Sequence, residues 1–197
     1  MTVIYLARFS SHEKVCLSLP ASPGEIGEAW GALDHISDNV ASTYIAEVAC
    51  DVIGIEQYLK CVDINDPEQL KKMNRIAGII ESLDNDKCYI FEGALNIEDV
   101  SSLDDVINIG ETLDQYILIP ATSAYMLGIF LVQSDIVHFD KNVIPYLDHS
   151  CIGTEFDSNH GGAYTSGGYT VKRDCIEPTL IDAVKIYEKK PYEMQMD

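Results

Sequence analysis

An α+β fold is what the sequence predicts, on three observations. Strand-like alternation opens the chain at Thr2–Ala7 and Lys14–Leu19. Helical periodicity fills the middle from Asp66 onward, and a glycine-rich turn leads into a closing strand at Tyr169–Val171. Blocks of strands and blocks of helices in that arrangement read as α+β.

The first segment reads β-β-α-β. Its two strands are joined by a turn at Ser10–His12. Ser22 then precedes Pro23, an N-cap followed by proline in the first turn, which predicts a helix running to about Leu33. Thr43–Cys50 alternates weakly and returns as a strand.

The middle segment reads helical. Asp66-Pro67-Glu68-Gln69 combines an N-cap acid, proline at the first helical position and Gln three residues on. Leu70, Met73, Ile76, Ala77, Ile80 and Leu83 then form one apolar stripe. A second helix is predicted over Lys87–Leu95. A third starts at Ser101 or Ser102, with Asp104 and Asp105 placed to close a capping box. On that third helix Leu103, Val106, Ile107, Gly110 and Leu113 share one side. Asp104 and Glu111 share the other, about 10 Å apart along the axis.

The last segment reads β-α-α-β. A strand at Tyr116–Ile119 leads into a helix from Thr122 to about Val132, and one or two short helices cover Val143–Phe156 before the glycine-rich turn. The stretch Gln115–Ser134 carries no charge, but Pro120, Ala121, Thr122 and Ser123 interrupt it, so it reads as strand, turn and buried helix, not as a membrane span. Leu19-Pro20-Ala21-Ser22 and Ile119-Pro120-Ala121-Thr122 echo each other, each joining a strand to a helix. Residues 175–197 read as a tail with one helical stretch around Ile181–Tyr187 and a polar end expected to fray.

Charge dominates the composition. Thirteen Lys and Arg stand against 32 Asp and Glu, a formal net charge of −19 over 197 residues. The 47% hydrophobic content excludes an acidic disordered tail. The field argues against direct nucleic-acid binding, because it repels a phosphate backbone, and against an anionic membrane surface for the same reason. It suits a basic partner or high salt. The start of the chain lacks the basic region and long apolar run of a secretory signal. The six cysteines, at 16, 50, 61, 88, 151 and 175, form no CxxC pair. Free thiols in a cytoplasmic protein are therefore expected.

The acids concentrate in the middle. Glu81, Asp84, Asp86, Glu92, Glu98, Asp99, Asp104, Asp105, Glu111 and Asp114 face one base in the same span, Lys87. Surfaces normally intersperse the signs, and a large single-sign field serves steering or binding. These ten carboxylates are the candidate partner-binding residues. Catalytic and metal candidates are thinner. Asp148, His149, Cys151 and His160 contain the residue types of a thiol nucleophile or a zinc site. Their spacing fits neither, and a satisfied histidine beside a structural cysteine is the plainer reading. No GxGxxG, P-loop, GxSxG or HExxH occurs, so no cofactor is implied.

The order of several segments resembles the ArdA-type antirestriction proteins, DNA mimics carried by conjugative elements and phages. The resemblance is carried by Leu83-Asp84, Phe91-Glu92-Gly93-Ala94-Leu95 and Ser102-Leu103-Asp104-Asp105-Val106-Ile107-Asn108. It continues through Leu113-Asp114-Gln115-Tyr116, Pro120, Pro145-Tyr146-Leu147-Asp148, Ile152-Gly153 and the Gly161–Val171 ending, with Leu19-Pro20-Ala21-Ser22 near the start. It covers about residues 1–173. One departure is Gly153-Thr154-Glu155, where family members often carry a base; here the surface is more negative.

The resemblance implies an elongated molecule of three small domains in a line: an N-terminal α/β domain (1–62), a central, mostly helical acidic domain (63–115) and a C-terminal α/β domain (116–174). It implies a homodimer joined through the C-terminal part, cytoplasmic in the bacterial host, that occupies the DNA-binding groove of type I restriction–modification enzymes without catalysis. Three such units would span about 80 Å, over which duplex DNA carries about 47 phosphates. The net −19 is about 40% of that. Three other readings stay open. One is a DNA mimic aimed at another defence nuclease, such as a CRISPR effector. Another is an acidic adaptor that binds a basic protein through shape and apolar contacts, and the last is an enzyme built on His149, Cys151 and His160. The uncharged Gln115–Ser134 stretch and the tyrosines near it are the expected dimer surface.

Overall fold

The computed structural model describes residues 1–9, 12–36 and 43–189. The protein is α+β. Its strands are β1 (Thr2–Arg8), β2 (Val15–Leu19), β3 (Thr43–Cys50), β4 (Tyr116–Ile119), β5 (Ala163–Tyr164) and β6 (Tyr169–Lys172). Its helices are α1 (Pro23–Ile36), α2 (Glu56–Lys60), α3 (Pro67–Glu81), α4 (Asn85–Ile97), α5 (Leu103–Glu111), α6 (Ala124–Gln133), α7 (His149–His160) and α8 (Pro178–Lys189). Two antiparallel three-stranded sheets form, in the orders β2-β1-β3 and β4-β6-β5.

Capping residues set most helix starts. The Ser22 hydroxyl accepts from Glu25 N at 3.3 Å while the Glu25 carboxylate accepts from Ser22 N at 2.7 Å, a reciprocal box that opens α1. Asp66 accepts from Glu68 N at 2.9 Å, with Pro67 at the first helical position of α3. Ser102 and Asp105 close the box at α5. Gly161 ends α7 in the left-handed region at φ 63°, a conformation that costs a side-chain-bearing residue.

Register carries the first sheet's inward face. Thr2 pairs with Leu19 and Cys50, and Ile4 with Leu17 and Val48. The period of two then turns Ile4, Leu6, Leu17, Leu19 and Ile45 into one core, on which α1 lays Ala29 and Leu33, and α3 lays Met73, Ile76 and Ala77. That core continues without a break through Phe91, Ala94 and Leu95 of α4 and Val106 and Ile107 of α5 to Tyr116. Residues 1–62 and 63–115 thus share one core, because α3 belongs both to the helical segment and to the sheet. A second core starts at Ile117 and gathers Ile119, Leu127, Leu131, Tyr169 and Val171.

Several elements differ from the sequence expectation. α2 is a short helix in a stretch where five residues give no periodicity to read. The segment expected as a tail after residue 174 supplies Ile176 and, through α8, Leu180 and Val184 to the second core. The turn expected at Ser10–His12 lies partly outside the described residues, as does the chain end from 190. Of the one or two short helices expected within Val143–Phe156 there are two, a 3-10 turn at Ile144–Tyr146 and α7, because Asp148 caps a new start by accepting from Cys151 N at 3.1 Å; α7 runs on to His160. α6 and α7 cross in backbone contact: a methyl group at Gly128 would overlap the His149 backbone, and one at Gly153 the Ala124 backbone. All six cysteines are free.

Phe91 is fully buried and its ring fills the space beside Gly110. Phe91→Ala is expected to cost roughly 3–5 kcal/mol of stability, because α4 and α5 both lose contacts that cannot collapse into the gap. Urea unfolding monitored by circular dichroism measures it.

Candidate acidic binding surface

The ten candidate carboxylates divide by what holds them. Asp84 and Asp105 are caps. Asp84 accepts from Lys87 N at 2.9 Å to start α4. Asp105 accepts from the Ser102 and Ser101 hydroxyls at 2.8 and 3.0 Å and from both backbone amides, which holds its pKa below the usual carboxylate range. Asp104 and Glu111 face solvent opposite the buried side of α5, as the helical period predicts, but neither is unpaired. Lys72 of α3 reaches Asp104 at 2.6 Å, and Arg75 reaches Glu111 through two nitrogens at 2.6 and 2.9 Å. The expectation that this region has almost no pairing bases is therefore corrected. Its bases come from α3, which lies beside α5 in space and outside the sequence window in which the acids were counted.

Glu98, the C-cap of α4, accepts from the Lys172 ammonium at 2.7 Å and from the Tyr116 hydroxyl. Partial burial works to raise its pKa, but these donors hold it below the usual range. Burial and the adjacent carboxylate push the Tyr116 hydroxyl far up. Glu92 is half-buried on α4, and desolvation alone raises its pKa. Lys72, Arg75 and Lys172 are the residues that sequence reasoning missed. The three-residue spacing of Lys72 and Arg75 on one helix face was a usable signal for the first two.

Four carboxylates remain. Glu81, Asp86, Asp99 and Asp114 are exposed and make no hydrogen bond or ion pair among the described residues. Asp86 lies in the first turn of α4, where the helix dipole favours an acid. Glu81 and Asp99 lie at the opposite kind of position, and Asp114 lies in the first turn of a 3-10 helix. Glu81 is the last residue of α3, Asp99 follows the C-cap of α4, and Asp114 follows the end of α5 in a 3-10 turn. None of these three helices carries a base in its last turn. Asp114 also edges a cleft of about 420 Å³ lined with Leu83, Lys87, Ile90, Glu111 and Arg173.

The thiol–histidine candidates are not brought together. His149 and Cys151 sit at the start of α7 and His160 at its last residue, about 16 Å along the axis from His149. The Cys151 thiol donates to Asp148 at 3.3 Å, and that carboxylate pushes its pKa up, the reverse of what activates a nucleophile. His160 stacks on Phe156 at 3.9 Å with Nδ1 against the Phe156 carbonyl, while His149 meets the Tyr125 ring edge-on. Among the described residues no group of three or more His, Cys, Asp or Glu is placed to hold a metal. No helix among them is long and apolar enough to cross a membrane.

Comparison of the chain with protein-family models and with curated proteins finds no match.

The Asp105 cap carries a pH signature. Its folded pKa is depressed, so its contribution to stability is present above the ordinary carboxylate pKa of about 4 and is lost as pH falls through the lower folded value. Asp105→Asn is expected to lower stability at pH 7 and to flatten part of the decline below pH 4. Urea midpoints from pH 7 to pH 3 for both proteins would show it.

Proposed function

We propose that the protein is a non-catalytic DNA mimic. It occupies the DNA-binding groove of a type I restriction–modification enzyme, in the bacterial cytoplasm, and so protects incoming mobile-element or phage DNA. One observation carries this reading. Glu81 and Asp99 sit at helix C-terminal ends, and Asp114 sits in the 3-10 turn after α5; all three are exposed and unpaired among the described residues. An acid at the negative end of a helix works against folding, typically by about 0.3–1 kcal/mol. Acids kept where folding disfavours them, on a chain of net −19, are accounted for by a basic partner that binds them.

The chemistry of such a partner follows. A groove built to hold duplex DNA is lined with Lys and Arg that neutralise phosphates and displace the cations condensed on the duplex. Carboxylates held on short helices offer that groove fixed negative charge, and no duplex has to be bent to fit. Attraction between −19 and a basic cleft speeds encounter and fades as salt shortens the screening length, about 10 Å at 0.1 M.

Two copies associate in this reading. The surface that suits it is uncharged and apolar. Tyr125 and Met126 on α6 are 54% and 44% exposed, and Val143 and Tyr146, in the turn before α7, are 46% and 86% exposed. α6 has no charged residue, so two acidic chains meet here with the least repulsion. A sedimentation mass of two chains at micromolar concentration is expected, falling to one chain for Tyr125→Asp with Tyr146→Asp.

Titration into a type I restriction–methyltransferase core bound to labelled duplex tests the main reading. Stoichiometric displacement that weakens with salt is expected, and a folded protein that displaces nothing sinks it. Changing Glu81→Gln, Asp99→Asn and Asp114→Asn together should weaken displacement several-fold while raising the melting temperature. Each change alone should leave inhibition nearly intact, because a distributed field gives each charge only a few tenths of a kcal/mol or so.

A further inference from the structure

We propose that the groove between β2 and α1 takes an extended basic segment of another protein, which pairs with β2 as a fourth strand of the first sheet. This docking surface uses none of the ten carboxylates and stands whether or not the protein imitates DNA.

An open strand edge is the first observation. In the order β2-β1-β3, β2 has a partner strand on one side only among the described residues. Every second residue of an edge strand turns its N–H and C=O away from the sheet, where they pair with any strand that comes alongside. Natural edges are blunted by bulges, charges, short length or a covering element. The other edges of this protein use those devices. β3 holds a bulge at Ala46, where Tyr5 pairs with Glu47 and Leu6 with Ile45; it carries Glu47, and α2 packs on it. β4 has four residues and is followed by Pro120, and β5 has two. β2 runs Val15-Cys16-Leu17-Ser18-Leu19 with no charge, no proline and no register shift against β1.

A groove beside that edge is the second. It holds about 360 Å³ between β2, from Val15 to Ser18, and the Glu25, Glu28, Ala29 and Ala32 face of α1. These four positions are spaced i, i+3, i+4 and i+7, so they form one stripe on the helix. Three residues separate β2 from α1, which packs back along the strand. Glu25 and Glu28 therefore stand toward the Ser18 end of the groove and Ala32 toward the Val15 end. The alanines leave room next to the strand. Glu25 accepts from Ser22 N and keeps its charge. Glu28 is exposed and makes no hydrogen bond or ion pair among the described residues.

A strand added to β2 lies about 4.8 Å from it, and every second side chain turns toward α1. Apolar side chains suit the Ala29 and Ala32 positions, and Lys or Arg suits Glu25 and Glu28. Main-chain hydrogen bonds give such a complex its affinity, and the alternate side chains give it selectivity. Charge also decides against a second copy as the occupant. Pairing β2 with β2 would bring two acidic groove walls together on two chains of net −19 each.

The probe is a fluorescent octapeptide that alternates Thr with two Val and then two Arg, together with its reversed sequence, because an edge accepts a strand of either direction. Anisotropy is expected to show binding of one of the two, and amide exchange to slow at alternate residues of Val15–Leu19. Ala32→Trp, at an exposed position, should fill the groove and abolish binding. Glu28→Lys should weaken binding several-fold, as should Glu in place of Arg in the peptide. A peptide N-methylated on its backbone keeps its charge, loses its donors and should not bind. Should Ala32→Trp fail to fold by circular dichroism, Glu28→Lys and the N-methylated peptide decide. Equal binding by the N-methylated peptide, with β2 exchange unchanged, overturns the proposal, because the field alone then holds the peptide. Failure of both peptide directions to bind overturns it as well. So do β2 amides already slow in the free protein, with Ala32→Trp reducing a two-chain sedimentation mass to one, which puts a second copy on the edge. Failure to displace duplex overturns the DNA-mimic reading alone.

Discussion

α4 is packed on two sides at once, and the rest of the molecule is arranged around that constraint. Its Phe91 side closes the core that the first sheet, α3 and α5 build, and its Gly93 side rests on β6. A larger residue at 93 would lift the second sheet off the helix. The sequence meets the two demands within three positions, a full aromatic ring at 91 and nothing at 93. Burial of Phe91 is worth a few kcal/mol, and close approach at Gly93 brings β6 near enough for Lys172 to reach Glu98. Local composition on one helix thereby fixes how two cores sit together.

Charge is handled by the same logic. A chain of net −19 repels itself in the compact state. Many of its acids are placed where the backbone offsets that cost. Glu25, Asp66, Asp84, Asp105 and Asp148 all accept from backbone N–H groups around helix N-termini, where the dipole is positive. Others are matched across space: Asp104 and Glu111 by α3, Glu98 by β6. These exposed pairs contribute little each, on the order of 0–1 kcal/mol. Their effect is to thin the field over α5 and leave Glu81, Asp86, Asp99 and Asp114 as the unpaired members of the ten.

Most of the fold was legible in the sequence, and the reasons are local. Ser22-Pro23, Asp66-Pro67 and Ser102 with Asp105 mark helix starts through hydrogen bonds that close within four residues, so sequence neighbours suffice to see them. β4 was read to its residue because turn signals bound it on both sides. α2 was not, since five residues give less than two turns of pattern. The packed role of residues 176–184 was missed because Ile176, Leu180 and Val184 are buried against strands 60 residues earlier, a contact that periodicity alone does not reveal. The acidic surface was legible as a count and illegible as a map. Counting acids between 81 and 114 finds ten carboxylates, but Lys72, Arg75 and Lys172, which lie outside that window, decide which of them are displayed.

On the proposed reading, that difference changes what the surface presents to a partner. Ten evenly available carboxylates would make a diffuse negative face, to which any polycation binds. Once caps, pairs and the half-buried Glu92 are set aside, the ten reduce to Glu81, Asp86, Asp99 and Asp114, joined through α3, α4 and α5 to a single core. Separate points of fixed charge resemble phosphates along a backbone more than a smooth acidic patch does, because a binding cleft reads phosphates by position as well as by sign. A rigid ligand with fewer charges, each in register with a basic group, gives up less on binding than a denser one that must be bent or ordered first.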